Sequence, residues 1–201
     1  MQVSRIMSKN VVTLPVTADL NEAMRLMKEY DIRHLPVVED GRLVGLVTER
    51  DVRGALFPSM IEEISVQDLM ITNPITVSPE TRLEDAARLV YRRKIGCLPV
   101  VDEGRRLVGI VTVADMLAAL IELMGFISAS SRLDVVLPDR PEALEEALRI
   151  IQRNGGQVIS VSQTSLCTKK PVHLFRLQKT DLNPIVEAMK EVGFSVVSSL
   201  E

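Results

Sequence analysis

The sequence predicts a mixed α/β and α+β protein: two copies of a strand–helix–strand–strand–helix unit, then one strand–helix–strand–strand–helix–strand unit. Three observations predict it. Residues 32–48 recur as 95–112 with one extra residue, Arg105, in the turn, and 12 of the 17 aligned positions are identical. Upstream, Met7, Thr13 and Leu20 match Met70, Thr76 and Leu83 at one constant spacing. After Ser131 the periodicity changes and the repeat stops. Two long copies of one unit imply a closed pair of stacked modules rather than an open solenoid.

In the first copy, Val11, Val12 and Thr13 form a short extended piece. Asp19 then begins a helix on which Leu20, Ala23, Met24, Met27 and Tyr30 recur at helical spacing. The apolar runs 35–38 and 43–47 flank a turn in which Gly41 suits a positive φ, so they predict a hairpin. A second helix follows Thr48 over about residues 49–56, and Pro58 ends it. The second copy repeats this order after a linker at 59–65, with Thr81 and Glu84 as a capping box and a last helix over about 113–124.

The stretch 125–131, rich in Ser, reads as a linker. Residues 132–137 are strand-like, and 141–153 form a helix with Leu144, Ala147, Leu148 and Ile151 on one face. Asn154, Gly155 and Gly156 supply its C-terminal stop. Strands at 158–162 and 172–177, a helix from Asn183 carrying Ile185, Met189 and Val192, and a strand at 194–198 complete a split, ferredoxin-like pattern. The expected boundaries are 1–62 and 63–124 for the repeats, 125–131 for the linker and 132–201 for the third unit.

Composition narrows function. A net charge of −3 and 3% aromatic residues, with no Trp, supply neither the basic surface nor the stacking platforms of a nucleic-acid binder. The longest apolar stretch, 116–127, is interrupted by Glu122 and is too short for a bilayer. Without a signal-like N-terminus, and with Cys97 and Cys167 in no metal-ligand spacing, the chain reads as cytoplasmic, with reduced thiols, no metal and no membrane partner.

The Leu-Pro-Val-Val strands and the endings Gly-Leu-Val-Thr-Glu-Arg-Asp and Gly-Ile-Val-Thr-Val-Ala-Asp resemble a pair of CBS motifs, the tandem called a Bateman module, over about residues 1–124. Residues 132–201 resemble an ACT domain, a small ligand-binding fold of amino-acid metabolism, through Asp139, Arg140, Pro141 and Gly155-Gly156. Glu142 stands where many such domains have glycine. The order CBS, CBS, ACT is similar to that of the accessory proteins of bacterial acetoin utilisation.

Thr48 and Asp51, and again Thr112 and Asp115, set a hydroxyl and a carboxylate beside the free N–H groups of a helix start. That combination suits a nucleotide: the carboxylate can accept two hydrogen bonds from a ribose diol, and the helix N-terminus favours phosphate. The resemblance implies that adenine rests on the first strand and the start of the second. Those positions are Val12, Thr13, Arg33, His34 and Pro36 for one site, and Ile75, Thr76, Gly96, Cys97 and Pro99 for the other. Arg50 adds a cation where the second copy has Ala114. Thr-x-x-Asp is equally an ordinary capping box, and the two roles can coexist. The Met-rich first helix reads as core, and Arg92, Arg93 and Lys94 as a solvated face.

No nucleophile with an adjacent base and no phosphate-cradling glycine loop stands out, so the chain reads as regulatory and not as an enzyme, with no catalytic cofactor. The expected ligand is AMP, ADP, ATP or S-adenosylmethionine, and the expected assembly a homodimer, with any metabolic enzyme partner left open. The alternative is an amino-acid or small-metabolite sensor working through 132–201, with the CBS pair as its dimerisation scaffold; weak turnover of the nucleotide is a third.

Overall fold

The computed structural model describes residues 1–55, 64–126, 129–165 and 170–200. The expectations for Leu56, Pro58, Cys167 and linker residues 59–63 and 127–128 lie outside the described residues. The chain divides into two compact units, Met1–Leu117 and Ala118–Glu201.

In the first unit, helix α1 (Leu20–Glu29) starts at Asp19, whose Oδ1 accepts the Glu22 N–H at 2.7 Å. Its buried face is Leu20, Ala23 and Met27. Strands β2 (His34–Glu39) and β3 (Arg42–Thr48) form the hairpin. Its two-residue turn needs positive φ at both positions, and Asp40 and Gly41 sit at 50° and 75°. Helix α2 (Glu49–Ala55) follows directly. The first strand, β1 (Leu14–Pro15), begins one residue beyond the expected 11–13 and pairs parallel to β2. Leu14, Leu20, Leu35, Val37, Val47 and Val52 meet in one core.

The second repeat begins with α3 (Val66–Leu69), capped by Ser65 through a capping box with Asp68. Strand β4 (Ile71–Thr72) leads into α4 (Leu83–Arg93), β5 (Cys97–Val101), β6 (Leu107–Thr112) and α5 (Val113–Leu123). The capping box expected at Thr81 and Glu84 does not form. Arg82 takes the N-cap position one residue later and makes no side-chain cap bond, while the Thr81 hydroxyl accepts the Ser78 N–H and closes the preceding turn.

The two repeats exchange their leading segments. Strand β4, in the leading segment of the second repeat, pairs with β3 of the first, giving the order β1-β2-β3-β4. Reciprocally, Ser8, in the leading segment of the first repeat, bridges to Ile110 of β6. The close approach depends on glycine. Met70 lies where a Cβ on Gly45 would stand, and such an atom on Gly109 would lie 2.6 Å from Met7 Sδ. The hairpin ends also bond to each other, Leu43 N–H to Arg105 O and Leu107 N–H to Gly41 O, both at 3.1 Å.

The second unit contains β7 (Ser130–Val136), α6 (Ala143–Arg153), β8 (Val158–Thr164), β9 (Val172–Gln178), α7 (Asn183–Glu191) and β10 (Ser195–Leu200). The strands form one antiparallel sheet in the order β10-β7-β9-β8. Ala143, Ala147 and Ile151 of α6, with Ile185 and Met189 of α7, pack on Leu133, Val135, Phe175 and Leu177. Leu144 and Val192, expected on the buried faces, are 40% and 43% exposed. Ala143 takes the inward place one residue before Leu144, and Val192 lies past the last turn of α7. Gly155, at φ +81°, ends α6 as expected. The strand alternation sends Asp134 to the other side of the sheet from Leu133. There Arg132 donates two hydrogen bonds to it and Ser198 a third.

Candidate functional site

At the junction of β3 and α2, Asp51 Oδ2 accepts the Thr48 N–H at 3.1 Å and the Thr48 hydroxyl at 2.6 Å, and the Asp51 N–H donates to Thr48 Oγ1 at 3.4 Å. The junction of β6 and α5 repeats this, with Thr112 and Asp115 at 2.8, 2.7 and 3.3 Å. Both pairs are therefore capping boxes. Each uses only Oδ2 of its carboxylate, so Oδ1 stays available to accept from a diol.

Each pair opens on a cavity, and each cavity draws on both repeats. The first, of about 560 Å³, joins Thr48, Arg50 and Asp51 to Ile75, which leads the second repeat, and to Cys97. The second, of about 720 Å³, joins Thr112 and Asp115 to Val12, which leads the first repeat. Arg33, His34 and Gly96 line both. This crossing follows from the segment exchange, because the leading residues of each repeat lie along the other repeat's hairpin.

Of the remaining expected residues, Thr13, Thr76, Pro36 and Pro99 line neither cavity. The two prolines are buried inside β2 and β5, opposite Leu46 and Ile110. The cavities also hold residues the sequence reading did not assign to a site, among them Asn73 and Lys94 in the first and Asn10 and Asp31 in the second. A signal for the asparagines existed: Asn10 and Asn73 occupy equivalent places in the repeat. Lys94 belongs to the basic run read as a solvated face.

Burial pushes the Cys97 thiol up to about 12, so it stays protonated and unreactive at neutral pH. Burial also lowers the pKa of His34, helped by the Arg33 charge and opposed by Asp51, so its imidazole is neutral at pH 7. Among the described residues no cluster of His, Cys, Asp or Glu could hold a metal ion. No helix among them is long and apolar enough to cross a membrane.

The CBS-domain family model matches residues 3–58 and 66–122, one match per repeat. The chain belongs to the CBS-domain family. Its CBS pair is similar to part of an inosine-5'-monophosphate dehydrogenase of Korarchaeum cryptofilum, 42% identical over 108 residues, 54% of this chain and 22% of that protein. The chain spans between about a fifth and two fifths of the first three curated relatives it matches. Among solved structures, CBSX2 of Arabidopsis thaliana in complex with AMP is 32% identical, with a TM-score of 0.55 over 60% of this chain and 96% of its own. The CBS domain pair of protein MJ0100, in complex with 5'-methylthioadenosine and S-adenosyl-L-methionine, is 31% identical, with a TM-score of 0.55 over 60% of this chain and 95% of its own. A Vibrio cholerae protein named for acetoin utilization, AcuB, is 35% identical, with a TM-score of 0.57 over 64% of this chain and 98% of its own.

Proposed function

We propose that this chain is a cytoplasmic regulatory protein, not an enzyme, whose CBS pair binds an adenosine-containing ligand: AMP, ADP, ATP or S-adenosylmethionine. The observation that carries the reading is the doubled Thr–Asp pair, each at a helix start and each facing a cavity of nucleotide size. Asp51 or Asp115 holds the ribose diol through Oδ1. The helix N–H groups and the Thr hydroxyl take the phosphate side, and adenine lies against Ile75 or Val12. The AMP and S-adenosylmethionine complexes of similar CBS pairs support the ligand class.

In the same reading, residues 1–62 and 63–124 are the two CBS motifs, and 125–131 link them to an ACT-like domain at 132–201. The four-stranded order β10-β7-β9-β8 with both helices on one face supports the ferredoxin-like assignment. This domain passes a nucleotide signal on within a homodimer, and the likeness to AcuB supports a role in acetoin or related carbon metabolism. Native mass spectrometry of freshly purified protein tests the ligand, since a co-purified nucleotide gives identity and stoichiometry together. A ligand at 100 times its Kd adds about 2.7 kcal/mol of stability, a rise of a few degrees in Tm. A rise with amino acids and none with any adenosine compound would move the sensor to the ACT-like domain.

A further inference from the structure

The two cavities share a wall, and the wall is lopsided. His34 begins β2 and Arg33 directly precedes it, and their equivalents at β5 are Cys97 and Gly96. Cationic side chains are distributed accordingly. Arg33, Arg50 and Lys94 line the first cavity beside Glu49 and Asp51, whereas Arg33 alone faces Asp31 and Asp115 in the second. Nothing rigid holds the guanidinium: the side chain is 81% exposed, and its Nε lies 4.0 Å from Glu49 Oε2, at the limit of an ion pair. The wall is also bonded to both helix starts, because Arg33 O accepts the Glu49 N–H at 2.9 Å and Gly96 O accepts the Val113 N–H at 3.1 Å.

We propose that Arg33 couples the two sites antagonistically for anionic ligands: one guanidinium serves both cavities, and a phosphorylated ligand in the first withdraws it from the second. Without Arg33 the second cavity keeps two carboxylates and no cation, so it then accepts an uncharged or cationic adenosine compound and rejects a phosphate. This regulation rests on the adenosine-binding reading above. The coupling comes from residue 33, which both cavities share, and the charge asymmetry from Arg50 and Lys94, which only the first contains.

Calorimetry on the full chain with AMP and with adenosine tests it. Ile75 lines only the first cavity, so Ile75→Trp obstructs the adenine position there and isolates the second, with Asp51→Asn as a second way to empty it. AMP is expected to bind the isolated second cavity about tenfold more tightly than it binds the same cavity when the first is occupied. Adenosine is expected to show no difference, and Arg33→Ala to reduce the AMP ratio to about one. Equal AMP affinities for the second cavity, empty neighbour or filled, would overturn the coupling while leaving nucleotide binding intact. Absence of AMP binding would overturn the coupling, and absence of binding by AMP, ADP, ATP, S-adenosylmethionine and adenosine alike would overturn the adenosine-binding reading with it.

Discussion

The imidazole of His34 rests against Gly96, so close that a Cβ at residue 96 would stand 2.7 Å from Nε2. Both residues line both cavities, so this contact is the seam where the two repeats and the two sites meet. Gly96→Ala is expected to displace the imidazole into the cavities and to weaken AMP binding about tenfold, which corresponds to about 1.4 kcal/mol. Isothermal calorimetry reads the loss. If the clash is the cause, His34→Ala in the same chain recovers at least half of it.

Asp51 and Asp115 each complete a capping box, so replacing either by Ala is expected to cost about 1 kcal/mol of stability, seen in chemical denaturation. Their effects on binding should diverge. Asp51→Ala removes the site that carries Arg50 and Lys94 and abolishes the tighter AMP step, whereas Asp115→Ala leaves that step in place. Loss of the same step in both variants would show that the cavities do not differ in charge preference.

The lowered pKa of His34 sets the sign of a pH effect. Burial is its largest cause, followed by the Arg33 charge. Below the ordinary value of 6.5 the unfolded chain takes up a proton that the folded chain resists, so stability falls as pH drops below that value. His34→Gln is expected to flatten the decline in urea melts between pH 7 and pH 5 without abolishing it, because burial lowers the pKa of His173 as well. An unchanged slope in the variant would remove His34 as a source.

A homodimer is the expected assembly. Tyr30 of the first repeat is 52% exposed, Leu117 in the middle of α5 is 55% exposed, and Leu123 at its end is 51% exposed, an apolar content that helical faces seldom leave to water. Light scattering of the intact chain at micromolar concentration should give twice the monomer mass. Fragments 1–126 and 131–201 should each associate more weakly, since two surfaces on one chain reinforce each other. A monomeric intact chain would rule the assembly out.

Much of this protein was determined by the sequence alone. The 12 identities between the repeats, the turn residues at Gly41 and the Asp19 cap are local signals, and local signals decide helices and hairpins. The Thr–Asp pairs were legible because the same three-residue spacing recurs directly after the matching Val-Thr strand ends of both repeats, where strand passes straight into helix. Which residues would share a cavity was not legible. That was decided by the exchange of Ser8 and β4 between the repeats, pairings of one or two residues whose partners lie far away in the chain. Such short contacts leave no periodicity, and only the approximate two-fold packing of the repeats brings Ile75 to Asp51 and Val12 to Asp115. The helix start at Arg82 was likewise undecided by pattern, since Thr81 could cap a helix or close a turn, and only its placement one residue before the N-cap decides for the turn.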